Sequence, residues 1–135
     1  MTIDAALYSY LSTDSGLVTL RSTRIYPFVF PQESTIPVQV YQLISSPHER
    51  IIRDGTIKFA VNRYQITTFD EDKDSLEALA NATLTAILAI SGTVNSNITI
   101  RDGKLLDQLP DYDSATALYS IRQDFSIWHE DSTLW

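Results

Sequence analysis

The stretch ALYSIRQDFSIWHE, residues 117–130, alternates apolar and polar side chains almost without a break. Ala117, Tyr119, Ile121, Phe125 and Ile127 fall on one side; Ser120, Arg122, Asp124, Ser126 and Glu130 fall on the other. Successive side chains of a strand point to opposite faces, so the pattern predicts one long strand with a single face built for burial. A chain that contains such a strand needs other strands to pair with it and a layer to cover it.

The other periodicities supply both. Ile3, Ala6, Leu7, Tyr10 and Leu11 recur at helical spacing, with Thr2 placed as a cap. Asp14 is placed to open a short second turn carrying Leu17, Val18 and Leu20. Residues 24–37, RIYPFVFPQESTIP, hold three prolines, which remove backbone donors and bias the preceding residues toward extended backbone. They predict an extended edge segment and a loop. A strand follows from Val38, and its apolar parity shifts between Val40 and Tyr41, which predicts a bulge or burial on both faces. The pattern breaks at Pro47, and Asp54-Gly55 between two β-branched runs predicts a protruding hairpin. Residues 59–69 form the next strand, with Tyr64, Ile66 and Thr68 alternating against Gln65 and Thr67 and a change of parity in its early half.

Residues 70–92, DEDKDSLEALANATLTAILAISG, are the clearest helix. Acids at its start suit the positive end of the helix dipole, Asp74 and Glu77 have capping-box spacing, and Gly92 stands just past the end. Leu76, Leu79, Ala80, Thr83, Ile87 and Ile90 share one face. Next come a strand around Ile98 to Arg101, a turn at Asp102-Gly103, extended chain through Leu109 and a break at Pro110. With no repeat or linker in view, residues 1–135 read as one α+β domain. Its sheet is mostly antiparallel, with an N-terminal helix and one long helix packed on one face.

Composition narrows the function. Cysteine is absent, which excludes disulfides and thiolate chemistry. Ten basic against seventeen acidic residues leave a formal charge of -7, a field that disfavours wrapping nucleic acid. The N-terminus MTIDAALYSYL lacks the basic region and apolar run of a signal peptide, and no window is long enough to cross a bilayer, so a soluble protein is expected.

Motifs for chemistry are missing. His48, beside Glu49, and His129, beside Glu130 and Asp131, are the only histidines, and neither has metal-ligand spacing; surface or interface positions are expected for both. There is no G-x-S-x-G elbow, and four glycines form no phosphate-binding loop. FDEDKD, residues 69–74, lacks the glycine and distal glutamate of an EF-hand and reads as a helix start. No catalytic residue, metal or cofactor is predicted. Arg50 and Arg53, flanking Ile51 and Ile52, are the one basic island: either a solvated turn or contacts to an acidic partner. Together with Trp128 and Trp135 these four residues are the candidate interface set.

Read in order, ALYSYL, RIYPFVFPQ, IPVQVYQLIS, YQITTF, DKDSLEALANATLTAI and a terminal DFSIW resemble the tail completion and tail terminator proteins of long-tailed bacteriophages. The resemblance covers nearly the whole chain and is carried by order, spacing and length. Where that family commonly has an aromatic after the proline before its first core strand, this chain has Val38. The resemblance implies a non-enzymatic virion subunit forming a hexameric ring on the tail tube, halting its growth and docking the tail to the head connector. It implies as partners further copies of the chain, the tail tube protein and a connector or stopper protein, with DNA passing through the lumen without specific binding and no membrane. By position, residues 47–58 and 102–114 would contact neighbours. The residues alone leave two alternatives open: a small ligand-binding or enzymatic domain with a pocket between the long helix and the sheet, and a head-side connector component.

Overall fold

The computed structural model describes residues 3–22, 24–31, 35–45, 48–50, 58–92, 94–95 and 98–131. Among these residues three helices, α1 (Ile3–Thr13), α2 (Ser15–Arg21) and α3 (Lys73–Leu88), accompany seven strands. These are β1 (Ile25–Pro27), β2 (Val38–Ser45), β3 (His48–Arg50), β4 (Lys58–Asp70), β5 (Val94–Asn95), β6 (Ile98–Asp113) and β7 (Leu118–Asp131). They form one sheet in the order β1-β2-β4-β7-β6-β5, with β3 also on β4. Every pairing is antiparallel except the edge pair β1 and β2, so the fold is α+β with a mixed sheet.

The opening strand is the centre of the molecule. β7 aligns Phe125 with Tyr64, Ile127 with Asn62 and Ile121 with Thr68 on β4, and that row of side chains faces the helices. Phe125, Ile127, Tyr64 and Ile66 pack with Leu7, Leu11, Leu79, Ile87 and Ile90 in one core. Burying one such side chain is worth roughly 1.5–3 kcal/mol, which is why the alternating pattern dictates the register.

Each helix end has a local cause. Asp14 caps α2 by accepting from the Leu17 amide at 3.1 Å. Asp72 caps α3, accepting from the Asp74 amide and from Ser75 Oγ at 2.9 Å. The cap is therefore two residues earlier than the Asp74–Glu77 capping box predicts; Glu77 instead lies 4.0 Å from Lys73, one turn away. The predicted buried face holds at Leu76, Leu79, Ala80, Thr83 and Ile87 of α3 and at Ile90 just beyond its end. α1 is tied to α3 by Tyr10, whose hydroxyl donates to the Ala86 carbonyl at 2.7 Å, and to the sheet by Tyr64, whose hydroxyl donates to Asp4.

Three expectations are corrected. Asp102-Gly103 is not a turn: β6 continues through it. Gly103 is needed because α3 ends against it, and a Cβ there would stand 2.6 Å from the Ile87 carbonyl oxygen. Pro110 does not break the chain either. It lies on the outer strand of the β6–β7 hairpin, where a missing donor costs no ladder bond on the free side. The early half of β4 keeps its parity, because Ala60 and Asn62 are buried in step with Tyr64 while Val61 points outward. Thr2 and Asp54-Gly55 lie outside the described residues, although the flanks of the latter, His48–Arg50 and Lys58–Ala60, pair antiparallel.

Between α1, α2 and the sheet lies a buried polar chain. Arg21, fully buried, donates to Gln39 Oε1 at 2.6 Å and to the carbonyls of Leu11 and Ser22. Gln39 passes the contact to Thr68 and Thr83. Burial lowers the Arg21 pKa to about 10, and the carbonyl dipoles around it keep the guanidinium satisfied.

The outer edge of β6 is guarded. Among the described residues β5 covers it only at Ile98 and Thr99. Beyond that come bulges at Ile100/Asp102 and Leu105/Asp107, then Pro110 and the exposed Asp111. Bulges, proline and charge are the devices that keep a free edge from recruiting another strand.

Candidate functional site

The face of the sheet turned away from the helices is crossed, among the described residues, by no helix, and its exposure is uneven: Val40 and Asp124 are buried while Arg63 and Arg122 are exposed. From β2 across β4 to β7 it presents Val40, Gln42, Gln65, Thr67, Arg63, Arg122 and Asp124 in rows. Arg63 and Asp124 meet at 2.8 Å, and since Arg63 is half exposed the pair is worth only about 0–1 kcal/mol. At the end where β4 starts, Val61 stands opposite Trp128, which is 43% exposed.

At the other end, residues 28–30 fold across this face. Phe30 packs on Phe69 with ring centroids 5.1 Å apart. Phe28 has φ 64°, inside a tight turn in which the Val29 amide donates to the Pro27 carbonyl at 2.7 Å. A bulky side chain at positive φ is strained by roughly 1–3 kcal/mol. The strain leaves Phe28 and Val29, 65% and 76% exposed, at the apex. Between this apex and the sheet is a cavity of about 230 Å³ lined by Phe28, Phe30, Val40, Gln65 and Phe69 among others. A second of about 210 Å³ shares Phe30 and Phe69 and is rimmed by Asp111 and Asp113. The two meet at Phe30 and Phe69: Gln42, Gln65 and Thr67 line the first beside its apolar residues, and Asp111 and Asp113 make the acidic side of the second.

The acidic side belongs to the β6–β7 hairpin, which continues past the start of α3. Its turn, residues 114–117, is held by Asp113, which accepts from the Ala115 amide at 3.0 Å. Tyr112 and Tyr119 stack across the hairpin at 4.6 Å, and Leu106, Leu109 and Tyr112 remain exposed. Charge is gathered at this end. Residues 70–77 carry five carboxylates and Lys73, and residues 105–118 carry three more carboxylates. These two segments hold the entire formal charge of -7, and the rest of the chain is balanced.

Of the candidate interface residues only Arg50 and Trp128 are described, and both belong to the end of the sheet where β4 starts. Trp128 is exposed on the open face, Arg50 ends β3 at the sheet end opposite the hairpin tip, and Ile51, Ile52, Arg53 and Trp135 lie outside the described residues. His129 is corrected outright. It shares the inward parity of Phe125 and Ile127, is 1% exposed, and its Nδ1 lies 2.5 Å from the Asn62 amide nitrogen. Phe28 and Val29 escaped the sequence reading, although the prolines on either side, Pro27 and Pro31, were a signal of a rigid exposed turn.

No group of three or more metal-ligating side chains occurs among the described residues. The cleft between α3 and the hairpin, about 320 Å³, is lined by Glu77, Ala80, Asn81, Gln108, Pro110 and Ile121, which include neither a nucleophile nor a histidine. Among the described residues no helix is long and apolar enough to cross a membrane. What the surface offers is shape, apolar anchors and charge.

The sequence matches no family model and no curated protein. The fold does have a likeness among solved structures. A chain in the virion of a native gene transfer agent (GTA) particle superimposes with a TM-score of 0.71, covering 95% of this chain and 94% of that one at 20% sequence identity. The two chains share a fold along nearly their full lengths.

Proposed function

We propose that the protein is a non-enzymatic structural subunit of a phage-like virion. It forms a ring, hexameric by the family resemblance, at the head-proximal end of a long tail, where it ends growth of the tail tube and joins the tail to the head connector. The observation that carries this reading is the end-to-end likeness to a chain of the GTA virion. Its supports are the cavities on the open face and the exposed apolar residues of the β6–β7 hairpin.

The partners are then further copies of the chain, the tail tube protein and a connector or stopper protein. The site of action is the tail of the particle, after assembly in the host cytoplasm. DNA passes through the lumen without specific binding. The acidic end, with Glu71, Asp72 and Asp74 exposed, is the surface suited to repel its phosphates. A lumen lined by arginine and lysine in an assembled particle would refute that part.

Electron microscopy of tails grown with and without the protein tests the whole reading. Overlong tubes in its absence support termination, and normal tubes that fail to join heads support joining. Normal, fully joined tails without it overturn both.

A further inference from the structure

We propose that the cavity between Phe69 and the tip of the β6–β7 hairpin receives an arginine side chain, carried by an extended segment of a different protein. The inference rests on the virion reading only in expecting a protein partner, and it gives that partner a chemistry. The cavity, about 210 Å³, has a mainly apolar surface made by Phe30, Phe69 and Leu118, with Asp111 and Asp113 at its rim.

The sheet register assembles it. β7 sets Ser120 beside Phe69 of β4, and β6 sets Asp111 opposite Ser120 and Asp113 opposite Leu118. Each aspartate has one oxygen engaged: Asp111 Oδ1 accepts from the Tyr112 amide at 2.8 Å and Asp113 Oδ1 from the Ala115 amide at 3.0 Å. Neither has an ion pair among the described residues, and Arg122, diagonal to Asp111 on the same face, meets neither. Two unbalanced carboxylates over apolar walls suit a cation on an apolar stem. Arginine answers better than lysine. Its planar head lies on aromatic rings, and its fan of donors matches the two free Oδ2 atoms and the hydroxyls of Thr116 and Ser120, which make no hydrogen bond among the described residues.

The adjoining cavity says that the arginine is part of a chain. It shares Phe30 and Phe69, and on its floor Gln42 stands opposite Gln65. Both are half-buried, and neither side chain makes a hydrogen bond among the described residues. A carboxamide offers a donor and an acceptor together, the complement of a peptide bond. A free polyamine would leave the glutamines unused. The exposed basic side chains among the described residues sit within β4, β6, β7 and α3, none on a projecting turn, which favours a different protein over a second copy.

Titration of the full chain with N-acetyl-arginine amide in low-salt buffer, followed by nuclear magnetic resonance, tests this. Shifts should centre on Phe30, Phe69, Leu118 and the side-chain amides of Gln42 and Gln65. The uncharged isostere N-acetyl-citrulline amide should bind about tenfold more weakly, and so should the arginine compound to Asp111→Asn with Asp113→Asn. Asparagine keeps the acceptors that the Tyr112 and Ala115 amides use, so this variant should keep the parent fold, which its spectrum checks. Glu71→Gln with Asp74→Asn removes the same charge elsewhere and should leave binding unchanged; an equal loss there would reduce the effect to net charge and overturn the pocket. Agmatine, which has no peptide bond, binding as tightly as the amide would overturn the peptide segment in favour of a polyamine. Multimers in light scattering that N-acetyl-arginine amide disperses would overturn the different protein in favour of a second copy. No shift at these residues up to the solubility of the probe overturns the whole inference. Tail microscopy stands apart: its failure leaves the titration untouched, and the reverse holds.

Discussion

β6 and β7 form one ladder from Ile98↔Asp131 to Asp113↔Leu118, yet its two halves live in different surroundings. The inner half buries Ile98, Ile100, Phe125 and Ile127 under α3 and the rest of the core. The outer half leaves Leu106, Leu109 and Tyr112 between 45% and 49% exposed. Backbone pairing has carried the strands further than the core has followed. The inner register is held by the main core, and the outer half by the smaller cluster of Ile121 with Leu76 and Ala80, by ladder bonds, one tyrosine pair and an aspartate in the turn. Apolar side chains that contribute little to the stability of the fold are free to serve contacts.

The sharpest way to break the contrast is to empty the inner half. Phe125→Ala should cost about 3–5 kcal/mol in urea unfolding, since it leaves a cavity under the helices. Gly103→Ala should cost about 1–3 kcal/mol, because the added methyl must push the end of α3 off the ladder; a variant as stable as the parent would show that α3 yields there. Tyr64, opposite Phe125, gives a pH handle on the same half. Its hydroxyl is held far above the usual phenol range, by burial first and by Asp4 second. The folded state thus favours the neutral phenol. That stability is full below the unfolded pKa of 10.0 and is lost as pH rises beyond it. Phenolate absorbance should stay low until circular dichroism reports alkaline unfolding. Tyr64→Phe should cost about 1 kcal/mol at neutral pH and move that transition upward. The smallest effect belongs to the outer half: Leu109→Ala should change stability by less than about 0.5 kcal/mol, and a loss above 2 kcal/mol would erase the distinction.

β7 was legible along its whole length, Tyr119 and Ile121 included, whereas the course of β6 through Gly103 and Pro110 was not, for a physical reason. Phe125 and Ile127 alternate because a core selects them, so period two shows through. The same parity points His129 inward, but its polarity suggested a surface position, and Asn62, which meets the ring, is sixty-seven residues away. Gly103 and Pro110 are local punctuation in most contexts, and here they answer to tertiary neighbours: a helix end for one, an open edge for the other. Arg21 gave no signal, because its partners are two carbonyls and Gln39, set by the fold and carrying no pattern of their own. The interface residues were the least legible, since exposure such as that of Phe28 depends on a single positive φ.

The bulges, proline and aspartate along β6 bear on how a polymer stops. A growing assembly built by laying strand beside strand extends as long as each new unit offers a receptive rim. Under the proposed role at the end of a tail, the β6 rim would give such an assembly no template, and nothing could be laid down strand by strand on that edge.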